Sequence, residues 1–388
     1  MARRGGIAAP AVILATALSL LACAGKEGSS SADSNRTAVP QREISDFSAE
    51  ASAWADSVLM TMDTADLVGQ LVIPASFTSA DAATLRQTLR YVRDDRVGGI
   101  VWLRGDTVSM RLLADTLGST ARIPLFMAID AEWGLAMRLE GTPEYPKNYR
   151  LGDASDDTLY DYGRDVGLGA RRLGLNVVFA PVLDVSRGEG SVMYARSYGG
   201  DPAAVADKGC AFARGLADGG VLPVAKHFPG LGATNADSHR TLPVVNESRE
   251  TILRRDLEPF RRYIGLDLGA IMTGHVYMPA IDSVARPATL SPVVVGDILR
   301  GELGYDGLVF SDGMNMKALD AAGSGECEQS RYVRALLAGA DILVAPADTD
   351  DAIAEIREAV ESGMLPQEAV REKVRRILFF KYIHCRQP

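Results

Sequence analysis

Eight short apolar runs, spaced along the chain and separated by helix-like segments, constrain this sequence more than any other feature. They are Leu71-Ala75, Gly99-Leu103, Leu125-Ile129, Asn176-Ala180, Leu222-Lys226, Ala270-Thr273, Leu308-Ser311 and Ile342-Ala345. Each is nearly continuous in apolar residues, as expected of a parallel strand covered on both faces. Between them lie amphipathic stretches such as Ala82-Arg96, Thr158-Leu173, Arg249-Ile264 and Gln329-Ala338. Eight strand-helix repeats in a chain of 388 residues predict an α/β fold, a (β/α)8 TIM-type barrel forming a single catalytic domain. A doubly wound open sheet competes, but no glycine fingerprint follows the first run.

Polar residues gather where these runs end. The third run leads into Asp130, the fifth into Lys226 and His227, the sixth into His275 and the seventh into Ser311-Asp312. In such a barrel, those ends and the loops after them line the mouth that carries active sites. Two of the four histidines fall in one Gly-rich loop, Lys226-His227-Phe228-Pro229-Gly230-Leu231-Gly232, which continues to Asp237-Ser238-His239. An Asp two residues before a His can orient the imidazole and raise its basicity. Taken alone, Asp237 would serve equally as a turn residue, and Asp312 as a helix N-cap.

The N-terminus reads as a targeting segment. Arg3 and Arg4 precede an apolar stretch from Ile7 to Leu21, which ends in Leu20-Leu21-Ala22-Cys23. The stretch is short for a membrane span. Its end resembles a bacterial lipoprotein signal, with lipid carried on Cys23; a plain secretory signal cut near Ala22 or Ala24 is the alternative. The expected layout is a signal over 1-23, a flexible Ser/Gly-rich tether over 24-45 and the folded domain over 46-388. That places the protein in the cell envelope as a membrane-anchored lipoprotein, with an outer membrane favoured by the lack of Asp after Cys23. Of the remaining cysteines, Cys210, Cys327 and Cys385, none has metal spacing, and Cys210 is expected to be buried. A formal charge of -9 argues against nucleic acid as a partner.

The stretch from Lys226 to Pro243 resembles the signature K-H-F-P-G-x-G-x-x-x-x-D-S-H-x-x-x-P of family 3 glycoside hydrolases, in the β-N-acetylglucosaminidase branch. The similarity extends over roughly Asp63 to Ile383 and includes Pro287-Ala288-Thr289-Leu290-Ser291-Pro292 and Gly307-Leu308-Val309-Phe310-Ser311-Asp312. It implies a retaining, cofactor-free and metal-free β-N-acetylhexosaminidase acting on GlcNAc-terminated cell-wall or chitin-derived fragments. Asp312 would be the nucleophile, with His239 as acid/base oriented by Asp237. Asp130, Arg138, Arg196, Lys226 and His227 would bind the sugar. Many other members of the family borrow an acid from a second domain. Here only one or two helices are expected after the last strand, which favours the His.

Three positions depart from the family pattern: Leu135 stands for an Arg, Leu231 for a frequent His, and Gly313 for a frequent acidic residue. They bear on the leaving-group side. The rival readings are a β-N-acetylglucosaminide phosphorylase, another family 3 β-glycosidase, and a non-catalytic sugar-binding lipoprotein.

Overall fold

The computed structural model describes residues 44-79, 81-323 and 329-385. The expected lipidation site Cys23 and the tether before residue 44 lie outside the described residues, as does Cys327. Among the described residues eleven strands appear in chain order: β1 (Val72–Ile73), β2 (Ala75–Ser76), β3 (Gly99–Trp102), β4 (Gly105–Asp106), β5 (Phe126–Ile129), β6 (Leu139–Glu140), β7 (Val177–Val178), β8 (Leu222–Phe228), β9 (Ala270–Thr273), β10 (Leu308–Ser311) and β11 (Leu343–Val344).

The main sheet runs β10-β9-β8-β7-β5-β3-β2, and every pairing in it is parallel. β1 pairs with β11 through Val72↔Leu343, and a bridge from Phe310 to Ile342 joins β10 to the start of β11. The pairing therefore returns to the segment where it began. The result is a curled parallel sheet in a TIM-like α/β domain. Each apolar run of the sequence supplies one position in it. Pro74, which has no N–H to give, divides the first run into β1 and β2. A β4–β6 ladder, too short to leave a sequence pattern, joins the loops after β3 and β5.

Aromatic rings from β5, from β10 and from just after β7 meet across the curled sheet. Phe310 lies 6.1 Å from Phe126 and 5.7 Å from Phe179, centroid to centroid, and all three are buried. The helices start where short polar side chains cap them: Ser155 before Asp156–Arg172, Asp201 before Pro202–Asp218, and Ser330 before Arg331–Ala338. Helix Ala82–Arg93 ends three residues before the expected Arg96, which adopts a positive φ of 54°. The expected helix Arg249-Ile264 is interrupted by a π-helical turn over Ile252–Asp256, followed by Pro259.

Two helices, Thr349–Glu361 and Gln367–Cys385, follow β11 among the described residues. Cys210 is buried and unbridged. No helix among the described residues is long and apolar enough to cross a membrane.

Candidate active site

The sugar-binding candidates converge on one ion-pair network at the C-terminal ends of the strands. Asp130 follows β5, and its two oxygens accept from Arg138 Nη2 at 2.7 Å and Lys226 Nζ at 2.7 Å. Lys226 Nζ also lies 2.8 Å from Glu132 Oε1. Glu132 in turn receives a two-pronged bond from Arg196, with Nε at 2.9 Å and Nη2 at 2.6 Å. Planar guanidinium and planar carboxylate match in that arrangement.

Burial disfavours ionisation of Asp130, Glu132, Arg196 and Lys226, yet mutual charge outweighs it. Arg196 and Lys226 hold Glu132 well below the ordinary carboxylate range, and Lys226 and Arg138 do the same for Asp130. Burial likewise works against the Lys226 ammonium, and the two carboxylates push it back up.

His227 extends the network. Its Nδ1 lies 2.8 Å from Asp184 Oδ2, which puts the proton on Nδ1 and leaves Nε2 to accept from Arg196 Nη2 at 3.2 Å. Asp184 also accepts the backbone N–H groups of His227 and Leu231. This fully buried carboxylate thus holds the whole 227-231 turn. The turn includes a non-proline cis peptide at Lys226-His227 and a cis Phe228-Pro229 bond. Glycine is required at two points: Gly230 has φ +129°, and a side chain at Gly232 would collide with the Val185 carbonyl.

Asp312 sits just past β10. Its N–H donates to the Thr273 carbonyl at 3.0 Å, and its Oδ1 accepts from the Gly313 N–H at 2.8 Å. Burial works against its ionisation, while the Gly313 N–H and the Lys226 ammonium favour the carboxylate, which is held below its ordinary range. His275 is fully buried, with Nε2 donating to the Gly313 carbonyl at 3.0 Å and Nδ1 facing Thr289 Oγ1 at 2.9 Å. Burial pushes its pKa down, so the ring stays neutral and serves as a brace for the Asp312-Gly313 turn.

The Asp-Ser-His element forms a dyad. Asp237 Oδ1 accepts the His239 backbone N–H at 2.9 Å and lies 2.9 Å from its Nδ1. Both side chains are exposed, at 43% and 66%. Their loop is fastened to the stretch after Asp312: the Ala318 N–H donates to the Ser238 carbonyl at 3.1 Å, and Ser238 Oγ to Met316 Sδ at 3.7 Å.

Lys226 and His227 stand in the C-terminal part of β8 and the other six active-site candidates on loops beyond strand ends, with Asp130, Arg138, Arg196, Lys226 and His227 in one bonded cluster. Glu132 and Asp184 join it without having been singled out. Their partners are 64 and 43 residues away, so no local spacing marks them. The only sequence signal was their position two residues past Asp130 and within the apolar run around Val182-Val185. Leu135 and Leu231 are buried, so neither offers a polar group to a substrate.

The glycosyl hydrolase family 3 N-terminal domain is matched over residues 64-380. The chain belongs to glycosyl hydrolase family 3. It is similar to the β-hexosaminidase of Chromobacterium violaceum, 33% identical over 313 residues, covering 78% of this chain and 84% of that one. The β-hexosaminidase LpqI of Mycobacterium tuberculosis is 33% identical over 333 residues, covering 81% and 82%. Among solved structures, a family 3 β-N-acetylglucosaminidase from Paenibacillus superposes with a TM-score of 0.77 at 36% identity. That match covers 83% of this chain, which spans 63% of the Paenibacillus chain. The family and these relatives make the chain a glycoside hydrolase of the β-hexosaminidase type.

Proposed function

We propose that this glycoside hydrolase is a retaining β-N-acetylhexosaminidase that removes terminal β-linked GlcNAc from cell-wall muropeptides or chitin-derived fragments. Asp312 is the nucleophile and the Asp237–His239 dyad is the acid/base. One observation carries the reading. The dyad belongs to a loop bonded directly to the stretch that follows Asp312, so acid and nucleophile belong to one local assembly.

In the first step an Asp312 oxygen attacks the anomeric carbon while the His239 Nε2 proton passes to the leaving oxygen, breaking the glycosidic bond. The Asp312 carboxylate, held ionised by its surroundings, is ready for that role. In the second step the now neutral Nε2 takes a proton from water, which attacks the same carbon and frees Asp312. Asp237 keeps Nδ1 protonated, so Nε2 is the nitrogen that exchanges. Asp130, Arg138, Arg196, Lys226 and His227 present fixed donors and acceptors to the sugar hydroxyls and acetamido group.

The strand pairings support a complete (β/α)8 barrel in a single catalytic domain over 46-388. The N-terminal sequence supports a lipid anchor at Cys23 and a place in the cell envelope.

A panel of chromogenic β-glycosides, assayed with and without phosphate, tests the activity. Release from the GlcNAc substrate independent of phosphate supports the reading. A requirement for phosphate with formation of a sugar phosphate favours a phosphorylase, which an imidazole acid/base allows because it repels phosphate less than a carboxylate would.

A further inference from the structure

Aromatic surface adjoins the polar cluster. Among the described residues, the exposed aromatic side chains are Phe77, Tyr149 and Tyr194, at 41%, 38% and 36% exposure. All three lie on segments that follow strand C-terminal ends. Tyr149 and Tyr194 pair with ring centroids 5.6 Å apart and planes inclined by 35°. Each is the chain neighbour of a residue that grips Arg196. Asn148 Nδ2 donates to the Arg196 carbonyl at 2.7 Å, and Met193 Sδ accepts from Arg196 Nη1 at 3.6 Å. Arg150 fixes the Tyr149 ring, with Nε donating to its hydroxyl at 2.9 Å.

The two segments that bond to Arg196 therefore also carry a pair of partly exposed rings beside it, with the Arg150 guanidinium 5.5 Å from the Tyr149 ring centroid. Tyrosines left partly in water next to a binding cleft offer apolar faces at little entropic cost. The C–H faces of pyranose rings are the complementary surface.

We propose that Tyr149 and Tyr194 form a leaving-group subsite that stacks the sugars of an oligosaccharide extending beyond the scissile bond. The enzyme thereby favours chains over disaccharides. This rests on the hexosaminidase reading above.

The test compares kcat/KM for chitotetraose and for N,N′-diacetylchitobiose in the parent, in Tyr149→Ala/Tyr194→Ala and in Tyr149→Phe/Tyr194→Phe. The parent should favour the tetrasaccharide by roughly tenfold, a scale set by aromatic contacts. The double Ala variant should lose that preference, and the double Phe variant, which keeps the rings, should retain it. An equal preference in parent and double Ala variant overturns the subsite, as does a parent with no preference. A parent that turns over neither sugar contradicts the hexosaminidase reading instead. Calorimetric binding of chitotetraose to parent and double Ala variant then decides the subsite, and equal affinities overturn it.

Discussion

His239 Nδ1 lies 2.9 Å from Asp237 Oδ1, and the same oxygen accepts the His239 backbone N–H. The backbone and imidazole bonds hold Asp237 below the ordinary carboxylate range, so it is an anion at neutral pH. An anion at that spot keeps the proton on Nδ1 and directs Nε2 outward. If this ring is the acid, its loss matters most when the leaving group is poor. His239→Ala should slow hydrolysis of diacetylchitobiose by about 100- to 10,000-fold, while the first step with a dinitrophenyl glycoside changes far less. Azide should restore the second step, giving a β-glycosyl azide. Equal slowing of both substrates, with no azide effect, would reduce His239 to a binding residue.

The Glu132–Arg196 pair should prove costly to break. Glu132→Gln removes the buried carboxylate that pairs with both Arg196 and Lys226, and loss of one partner of a buried pair destabilises by about 3–5 kcal/mol. Arg196→Lys should not restore the arrangement, because an ammonium cannot make the two-pronged bond. Urea unfolding and kcat/KM on a GlcNAc glycoside measure both effects. Wild-type stability in Glu132→Gln would show that the pair contributes nothing to the fold.

Recognising this network from the sequence was possible only in part. Asp130, Lys226 and His227 stand at strand ends, where an apolar run stops and a polar residue follows, so a period and its interruption reveal them. Glu132 and Asp184 have no such mark. Asp184 reads as one polar residue in an apolar stretch, and only the folded sheet brings it to His227. The strands themselves were legible because two-sided burial demands continuous apolar runs. Their lengths were less so: Pro74 splits the first, while the fifth runs on to Phe228 through a register shift against β9.

His275 should make stability depend on pH in one direction. Its folded pKa is lowered by burial, so its contribution is present above the ordinary value of about 6.5 and is lost as pH falls below it. The stability advantage of the parent over His275→Gln should therefore shrink below pH 6.5, by up to about 1.4 kcal/mol per pH unit. Denaturant titrations of both proteins at pH 7.5 and 5.5 measure the gap. A gap that is constant or widens on acidification would mean that His275 is charged in the folded state.

The proposed membrane anchor rests on Cys23 in the lipobox-like Leu20-Leu21-Ala22-Cys23. Cys23→Ser should move the protein from the membrane to the soluble fraction and abolish incorporation of labelled fatty acid. Unchanged fractionation, with no label in the parent, would rule the anchor out.

Covalent trapping at Asp312 tests the mechanism most directly. An activated fluorinated GlcNAc glycoside, which slows the second step more than the first, should leave one sugar on the protein. Peptide mapping should place it on Asp312, and Asp312→Ala should take up none and lose turnover by several orders of magnitude. Label on Glu132 or Asp184, or full activity in Asp312→Ala, would contradict the assignment of Asp312 as nucleophile.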